Sequence, residues 1–112
     1  MLKSTLTAAA LLVGLATAAS AELYAVYPEN CAIGAGGEGN VEIGNGYFAI
    51  SESMFERTSE RVDAGNGFFA AAYAQISEGE AIGEMEMRMR IANGVVDIIF
   101  PSGDTVRAQR CS

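Results

Sequence analysis

Three methionines alternate with charged residues in the stretch EMEMRMRIANG, which runs from Glu84 to Gly94. On a strand this spacing places Met85, Met87 and Met89 on one face, with neighbours about 6.7 Å apart. Thioethers are soft ligands that select Cu(I), so a copper carrier is one hypothesis for the row. The same row is typical of a core-facing strand, because methionine fills irregular gaps in apolar interiors. Since the chain has no His, which such copper sites usually add, we predict core packing and no metal site.

Carboxylates are the second group that could perform chemistry. Glu78, Glu80 and Glu84 lie close together in the sequence, and two converging carboxyl groups can act as acid and base, as in glycoside hydrolases. A carboxylate-based hydrolase is therefore an alternative hypothesis. Outward alternation on a solvated strand accounts for the same residues. Without His the chain has no Ser-His or Cys-His nucleophile pair, and we predict no catalytic residue, no bound cofactor and no enzymatic activity.

The two cysteines, Cys31 and Cys111, allow one intramolecular disulfide. We predict that this bridge forms, because the chain also carries an export signal and disulfides persist in oxidising compartments. On the chain-entropy model a bridge that closes so long a loop stabilises the fold by about 4 kcal/mol. A zinc site is a poor alternative, since two Cys and no His cannot complete a tetrahedral set without carboxylates.

The first residues have the pattern of a secretory signal peptide. Lys3 supplies a positive start, Leu6 to Ala19 is largely apolar, and small residues precede a cleavage point after Ala21. The apolar run is too short to span a bilayer. We therefore predict a signal peptide at 1–21, a single secreted β domain at 22–112, and a periplasmic or secreted location.

The charge balance restricts the partners. The chain has 14 acidic and 7 basic residues, with a net charge of -7. Nucleic acids and anionic membrane surfaces are bound by clusters of Lys and Arg. We therefore predict no nucleic-acid partner and no membrane insertion of the mature chain, and we leave the partner unknown, with a protein as one candidate.

Asn-Gly occurs at positions 45, 66 and 93, and this dipeptide favours the type I′ turn of a tight hairpin. Register supports two of the three hairpins, because each predicted pairing places apolar residues opposite apolar ones. Around Asn93-Gly94 the predicted partners are Ala92 and Val95, Ile91 and Val96, Arg90 and Asp97, Met89 and Ile98, and Met87 and Phe100. Around Asn45-Gly46 they are Ile43 and Phe48, and Val41 and Ile50. We expect the Arg90–Asp97 pair to be exposed.

The remaining segments complete the predicted architecture. Ser53 and Glu56 form a capping-box pattern that predicts a short helix from about Met54 to Arg61, with a charged loop as the alternative. Phe68–Ile76 is compatible with a strand or a helix. Thr105–Arg110 is predicted to be the last strand. These elements predict an all-β fold of about six or seven strands. It is a small antiparallel meander that closes into a barrel or a two-layer sandwich, with one short helix and a disulfide that joins the terminal regions.

Residues 77–111 resemble the C-terminal half of small, uncharacterised secreted or periplasmic bacterial β proteins. The matching positions are Gly79-Glu80 before a long strand, the Asn93-Gly94 hairpin, Gly103 in a turn, and the terminal Arg110-Cys111. Such proteins often carry two disulfides, and this chain has the cysteines for one. In size, export and terminal disulfide the chain is also similar to periplasmic lysozyme inhibitors, which implies a small β barrel.

These observations together predict a non-enzymatic binding or inhibitory module. Loops and short irregular elements usually carry function on rigid β scaffolds. The candidate contact elements are therefore the loop Gly34–Asn40 and the segment Ser51–Asp63.

Overall fold

A computed structural model of the protein describes residues 21–112. The signal-peptide prediction falls on residues that lie outside the described part, apart from Ala21 at its end. Within 21–112 the chain forms nine strands and one short 3-10 helix, which spans Pro28–Ile33. The strands are β1 (Glu22–Ala25), β2 (Asn40–Gly44), β3 (Tyr47–Ile50), β4 (Ser53–Arg57), β5 (Val62–Gly65), β6 (Phe68–Ser77), β7 (Glu80–Ala92), β8 (Val95–Ile99) and β9 (Thr105–Arg110).

The strands form a closed antiparallel barrel. Their order is β4-β3-β2-β1-β9-β8-β7-β6-β5, and β4 also pairs with β6, which closes a ring of eight strands. The remaining strand, β5, lies outside the ring and pairs with the first residues of β6. The predicted all-β class is confirmed, and of the two predicted closures the barrel is the one observed. No helix in this part of the chain is long and apolar enough to cross a membrane.

Both register predictions are confirmed. At Asn93-Gly94 the four pairs from Ala92↔Val95 to Met89↔Ile98 form as predicted, and Phe100 lies just beyond the last pair of this ladder. Asn93 and Gly94 both have positive φ, as a type I′ turn requires. At Asn45-Gly46 the predicted partners also face each other. Here Gly46 has φ 83° whereas Asn45 is not in the positive-φ region, so this turn is of another type.

The predicted helix from Met54 to Arg61 is wrong. Ser53–Arg57 is strand β4, which pairs with β3 on one side and with β6 on the other. Phe55 points into the barrel, and its ring stacks on Phe48 with centroids 4.9 Å apart. Burial of this ring in the core outweighs the local capping preference of Ser53 and Glu56. Phe68–Ile76, whose sequence is compatible with a strand or a helix, lies within strand β6.

The interior of the barrel is filled by large side chains set against small ones. Phe48 also packs edge-on against Tyr73 at 5.0 Å, while Ala71 and Ala108 occupy buried positions on other strands. Met87 is 1% exposed, and Met85 and Met89 pack against the same cluster. The methionine row thus faces the barrel interior, with Met87 in the core and Met85 and Met89 partly buried beside it.

The predicted disulfide is present and joins the two ends of the described chain. Cys31 lies in the 3-10 helix and Cys111 directly follows β9, with their Cα atoms 5.8 Å apart. The backbone N–H of Cys111 also donates to the carbonyl of Leu23 at 2.8 Å. The bridge thus lies beside the junction of the first and last strands.

The Arg90–Asp97 pair forms, but the expectation that it is exposed is wrong. The side chain of Asp97 is 7% exposed, and Arg107 from β9 binds the same carboxylate at 3.1 Å. The guanidinium of Arg90 also lies 4.4 Å from the centroid of the Phe68 ring. Two cations and one aromatic ring thus link β6, β7, β8 and β9 on the outer face.

Removal of the disulfide should lower stability strongly. In Cys31→Ser, Cys111→Ser and the double variant, we expect the melting temperature to fall by more than about 10 °C, since the bridge is worth about 4 kcal/mol. Circular dichroism measures the transition, and mass spectrometry under non-reducing conditions should find no free thiol in the parent. A double variant that melts with the parent would contradict the staple role of the bridge.

Removal of the charge on Asp97 should also be costly. Asp97→Asn keeps the shape but leaves two guanidinium groups without their carboxylate, so we expect a loss of about 1 to 3 kcal/mol in urea unfolding. Glu86→Gln is the matched control, because Glu86 is exposed on β7. Equal effects of the two substitutions would show that the pair contributes no more than a surface charge.

Candidate functional site

A cavity of about 340 Å³ opens at the end of the barrel where the Asn45-Gly46 and Asn66-Gly67 turns lie. We call this cavity the barrel mouth. Its wall combines aliphatic and aromatic side chains with two arginines, and glycines of the two turns form its rim. The side chains on which its chemistry depends are Ile43, Arg57, Arg61, Phe69, Tyr73, Met89 and Ile91.

The mouth exists because the strands of the ring differ in length. Arg57, the last residue of β4, lies opposite Tyr73, whereas β6 begins earlier, at Phe68. β6 and its partner β7 therefore extend beyond β4. Phe69 and Ile91 continue the interior-facing alternation of these strands into the extension, and they are 45% and 47% exposed. Two large apolar side chains thus face solvent at the opening of the barrel.

Arg57 is placed at the mouth by the ladder of β4. It follows the inward-facing Phe55 at a spacing of two and so lies on the same face of the strand. Its backbone N–H donates to the carbonyl of Gly46 at 2.8 Å, which fixes the end of β4 against the β2–β3 turn. The side chain is half-buried.

Arg61 is placed at the mouth by an irregular segment, Thr58–Arg61, between β4 and β5. The N–H of Thr58 still donates to the carbonyl of Ala72, and the hydroxyl of Ser59 accepts from the N–H of Ala72 at 2.8 Å. These two bonds hold the segment against β6 while the side-chain alternation is interrupted. The guanidinium carbon of Arg61 then lies 5.2 Å from the centroid of the Phe69 ring, within cation–π range.

The wall of the mouth is positive although the chain as a whole is acidic. The lining includes Arg57 and Arg61 and no Asp or Glu. Within 21–112, the ion pairs are those of Arg90 and Arg107 with Asp97 and of Arg110 with Glu22, so Arg57 and Arg61 have no carboxylate partner there. Such a site can attract an anion and cover an apolar group.

Tyr73 lies at the inner end of the mouth, between the core and the two arginines. Burial raises the pKa of its hydroxyl above the ordinary value of 10, and the charges of Arg57 and Arg61 partly oppose the rise. The hydroxyl is therefore neutral at physiological pH. It offers a donor or an acceptor to a bound molecule, and it is no base.

Of the methionines and glutamates that the sequence suggests for chemistry, only one methionine lies at the mouth. Met89 reaches the wall of the mouth, whereas Met87 is enclosed in the core. Glu78, Glu80 and Glu84 are exposed along the β6–β7 hairpin, whose turn lies at the opposite end of β6 from the mouth. Within 21–112 no group of three or more His, Cys, Asp and Glu side chains is arranged to hold a metal ion.

The two predicted contact elements have different positions. Ser51–Asp63 supplies both arginines of the mouth. In Gly34–Asn40, the side chain of Asn40 is buried and its amide donates to the carbonyls of Asn30 and Gly34 at 2.9 and 2.7 Å. These bonds fold the glycine-rich loop against the 3-10 helix, away from the mouth.

The sequence predictions locate the lining of the mouth only in part. The predicted contact segment Ser51–Asp63 contains Arg57 and Arg61, but the predicted helix misplaces both. Phe69 lies in a segment compatible with a strand or a helix, and Ile91 is predicted only as a core-facing strand residue. One signal was present: GNGYF at 44–48 and GNGFF at 65–69 are nearly the same sequence. Both Asn-Gly turns border the mouth, so the repeated pattern marks the two hairpin ends that form its rim.

The raised tyrosine pKa values predict a loss of stability at high pH. Burial and a hydrogen bond to Glu22 raise the pKa of Tyr24 to about 12, and burial raises that of Tyr73. Since both folded values exceed the unfolded value, their contribution is complete below about pH 10 and is lost as the pH rises through the folded values. Chemical denaturation between pH 9 and about 12 measures the loss.

The two arginines should be visible in the titration of Tyr73. We expect Arg57→Gln with Arg61→Gln to raise the pKa of Tyr73 further, because two nearby positive charges favour the phenolate. A carbon-13 NMR titration of the tyrosine rings, assigned with Tyr73→Phe, measures the shift. Arg88→Gln is the control, since Arg88 is exposed on β7 and does not line the mouth. If the Tyr73 titration is unchanged in the double variant, the guanidinium groups of Arg57 and Arg61 do not lie near the Tyr73 hydroxyl.

Comparison of the chain with protein-family models, with curated proteins and with solved structures finds no match in any of the three. The resemblance of residues 77–111 to small secreted or periplasmic bacterial proteins therefore stays a prediction, as does the likeness to lysozyme inhibitors.

Proposed function

We propose that this chain is a non-enzymatic binding module of the periplasm or the extracellular space, and that the barrel mouth is its binding site. The observation that carries this proposal is the pair of exposed apolar side chains, Phe69 and Ile91, on interior-facing positions of the barrel. A ligand that covers them removes apolar surface from water, which is the main source of binding free energy at such sites.

The shape of the mouth supports a small ligand. Eight-stranded barrels have an interior just wide enough to be filled by side chains or to hold one small molecule, and ligands commonly enter at the mouth of a barrel. The observed 340 Å³ lies near the lower end of the range of roughly 300 to 1,000 Å³ for ligand pockets. We therefore propose a small molecule as the occupant; an inhibitory module would instead receive a side chain of a protein partner here.

The chemistry of the lining supports a non-enzymatic role. Its side chains include no carboxylate, Ser, Thr, Cys or His, and both of its tyrosines, Tyr47 and Tyr73, have raised pKa values. A general base or a nucleophile at this site would have to come from the ligand. The hydrolase alternative depends on glutamates of the β6–β7 hairpin, and the copper alternative depends on the methionine row; no specific observation favours either, and both stay predictions.

The proposed location rests on two features. The Cys31–Cys111 bridge is compatible with an oxidising compartment. The N-terminal pattern of a signal peptide supplies the export route.

Filling the mouth should abolish binding. With two environment-sensitive dyes, the neutral N-phenyl-1-naphthylamine and the anionic 8-anilinonaphthalene-1-sulfonate, we expect saturable one-to-one binding of at least one. Ile91→Trp should weaken it by about tenfold or more, because the larger ring occupies the cavity. Fluorescence titration measures the affinity.

Ile82→Trp is the matched control for this experiment. Ile82 is also a strongly exposed isoleucine of β7, but it lies on the distant part of the β6–β7 hairpin. Equal loss in the two variants would remove the mouth as the site, and no saturable binding of either dye to the parent would contradict the proposed function.

A further inference from the structure

We propose that the ligand of the barrel mouth is an amphipathic anion: its acidic headgroup binds Arg57 and Arg61, and its apolar part lies on Phe69, Met89 and Ile91. This inference rests on the proposed function, since it names the ligand class of the same site.

The headgroup assignment follows from how the chain uses its other arginines. Of the other four arginines in 21–112, Arg90 and Arg107 share the carboxylate of Asp97, and Arg110 pairs with Glu22 at 3.2 Å. Arg88 is exposed on β7 and has no ion pair in this part of the chain. In a chain with twice as many acidic as basic residues, carboxylates are readily available to guanidinium groups. Arg57 and Arg61 instead converge on a cavity whose lining contains no acidic side chain. An anionic ligand is the partner that this arrangement lacks.

Two carboxylates near this end of the ring already have partners. Glu42 accepts a hydrogen bond from Tyr47, a lining residue, at 2.9 Å. Glu22 pairs in register with Ile43, which lines the mouth, so it lies at the same end of the barrel. Its carboxylate accepts a hydrogen bond from the Tyr24 hydroxyl at 2.7 Å in addition to the pair with Arg110. Glu22 is therefore held on the β1–β9 side and does not neutralise Arg57 or Arg61.

The geometry of the two arginines favours one shared headgroup. Arg57 is cross-strand from Tyr73, and both guanidinium charges lie near enough to the Tyr73 hydroxyl to influence it. Arg61 lies over the face of Phe69. Guanidinium groups bind carboxylate and phosphate oxygens through paired, charge-assisted hydrogen bonds, so a headgroup at this point receives donors from both.

The apolar part of the ligand is assigned by the opposite wall. Phe69 and Met89 are cross-strand neighbours on β6 and β7, and Ile91 follows Met89 on the same face. This wall adjoins the arginines and is continuous with the barrel core through Met89. A short alkyl chain or one or two rings attached to the headgroup would cover it. A headgroup without an apolar part leaves this wall in water.

The test compares probes that share an eight-carbon chain and differ in charge. Octanoate, 1-octanol and octylammonium are titrated against the protein, with binding followed by displacement of the dye that binds the mouth and by nitrogen-15 NMR. We expect octanoate to bind about tenfold tighter than octanol or more, since charge-assisted hydrogen bonds are worth at least that factor. Octylammonium should bind least. Two further probes distinguish the source of the anion. Octyl phosphate represents a lipid-type phosphate headgroup with an apolar chain, and inorganic phosphate represents a free anion without one.

The variants assign the charge preference to the two arginines. Arg57→Gln with Arg61→Gln should bring the ratio of octanoate to octanol affinity close to one. Arg88→Gln removes one charge from an exposed arginine outside the mouth, so it is the matched control for Arg61→Gln alone and should leave that ratio unchanged. If circular dichroism shows that the double variant is unfolded, Arg61→Gln alone, at an exposed position, gives the same test with a smaller loss.

Each outcome either supports or overturns the inference. Equal affinities for octanoate and octanol, both lost in Ile91→Trp, would overturn the anionic ligand and keep the binding module. Inorganic phosphate that binds as tightly as octanoate would overturn the apolar part. Equal losses of octanoate affinity in Arg88→Gln and in Arg61→Gln would reduce the effect to net charge and overturn the assignment of the headgroup. If no probe or dye binds at all, the proposed function fails together with this inference.

Discussion

Closure of the barrel depends on the short junction of β1 with β9. Only Tyr24↔Arg110 and Ala25↔Gln109 pair there, whereas β8 and β9 pair along five positions. The Leu23–Cys111 hydrogen bond, the Glu22–Arg110 ion pair and the Cys31–Cys111 bridge all lie beside this junction. The bridge spans 80 residues, so it lowers the conformational entropy of the unfolded chain. In the folded chain it lies beside the strand pair that has the fewest register partners. If the junction opened, β1 and β9 would become free edges and the interior would face solvent.

A closed ring of eight strands sets both the core and the mouth. Over most of its length the interior is filled, with Phe48 between Phe55 and Tyr73 and with alanines where the space narrows. Toward the turn that joins β8 and β9, Phe55 meets Phe100 edge-on at 6.0 Å. At the other end β6 and β7 extend past β4, and within 21–112 Phe69 packs against no other aromatic ring but lies under the guanidinium of Arg61. The mouth is thus a direct consequence of strand lengths in a barrel that is otherwise filled.

Features that depend on local chemistry could be predicted from the sequence, and features that depend on distant packing could not. Asn-Gly turns with period-2 alternation gave correct registers, because a slip by one residue would have turned every apolar side chain outward. The pattern of Ser53 and Glu56 is equally local, but Phe55 is buried against Phe48 and Phe100, and that burial determines the strand. Because Arg57 and Arg61 lie within the predicted helix Met54–Arg61, the wrong helix prediction also gives both residues wrong positions. Their convergence requires both the end of the β4 ladder and the irregular Thr58–Arg61 segment, which no spacing rule predicts.

The acidity of the whole chain and the positive mouth act on an anion in opposite directions. At physiological ionic strength charges are screened beyond about 8 Å, so the net charge of -7 repels an anion only weakly from a distance. Within the mouth, Arg57 is half-buried and less screened by water, and its attraction is local. A small inorganic anion gains this attraction alone and loses part of its hydration. An amphipathic anion also buries the surface of Phe69 and Ile91, so the apolar wall selects among anions and the arginines select among apolar ligands.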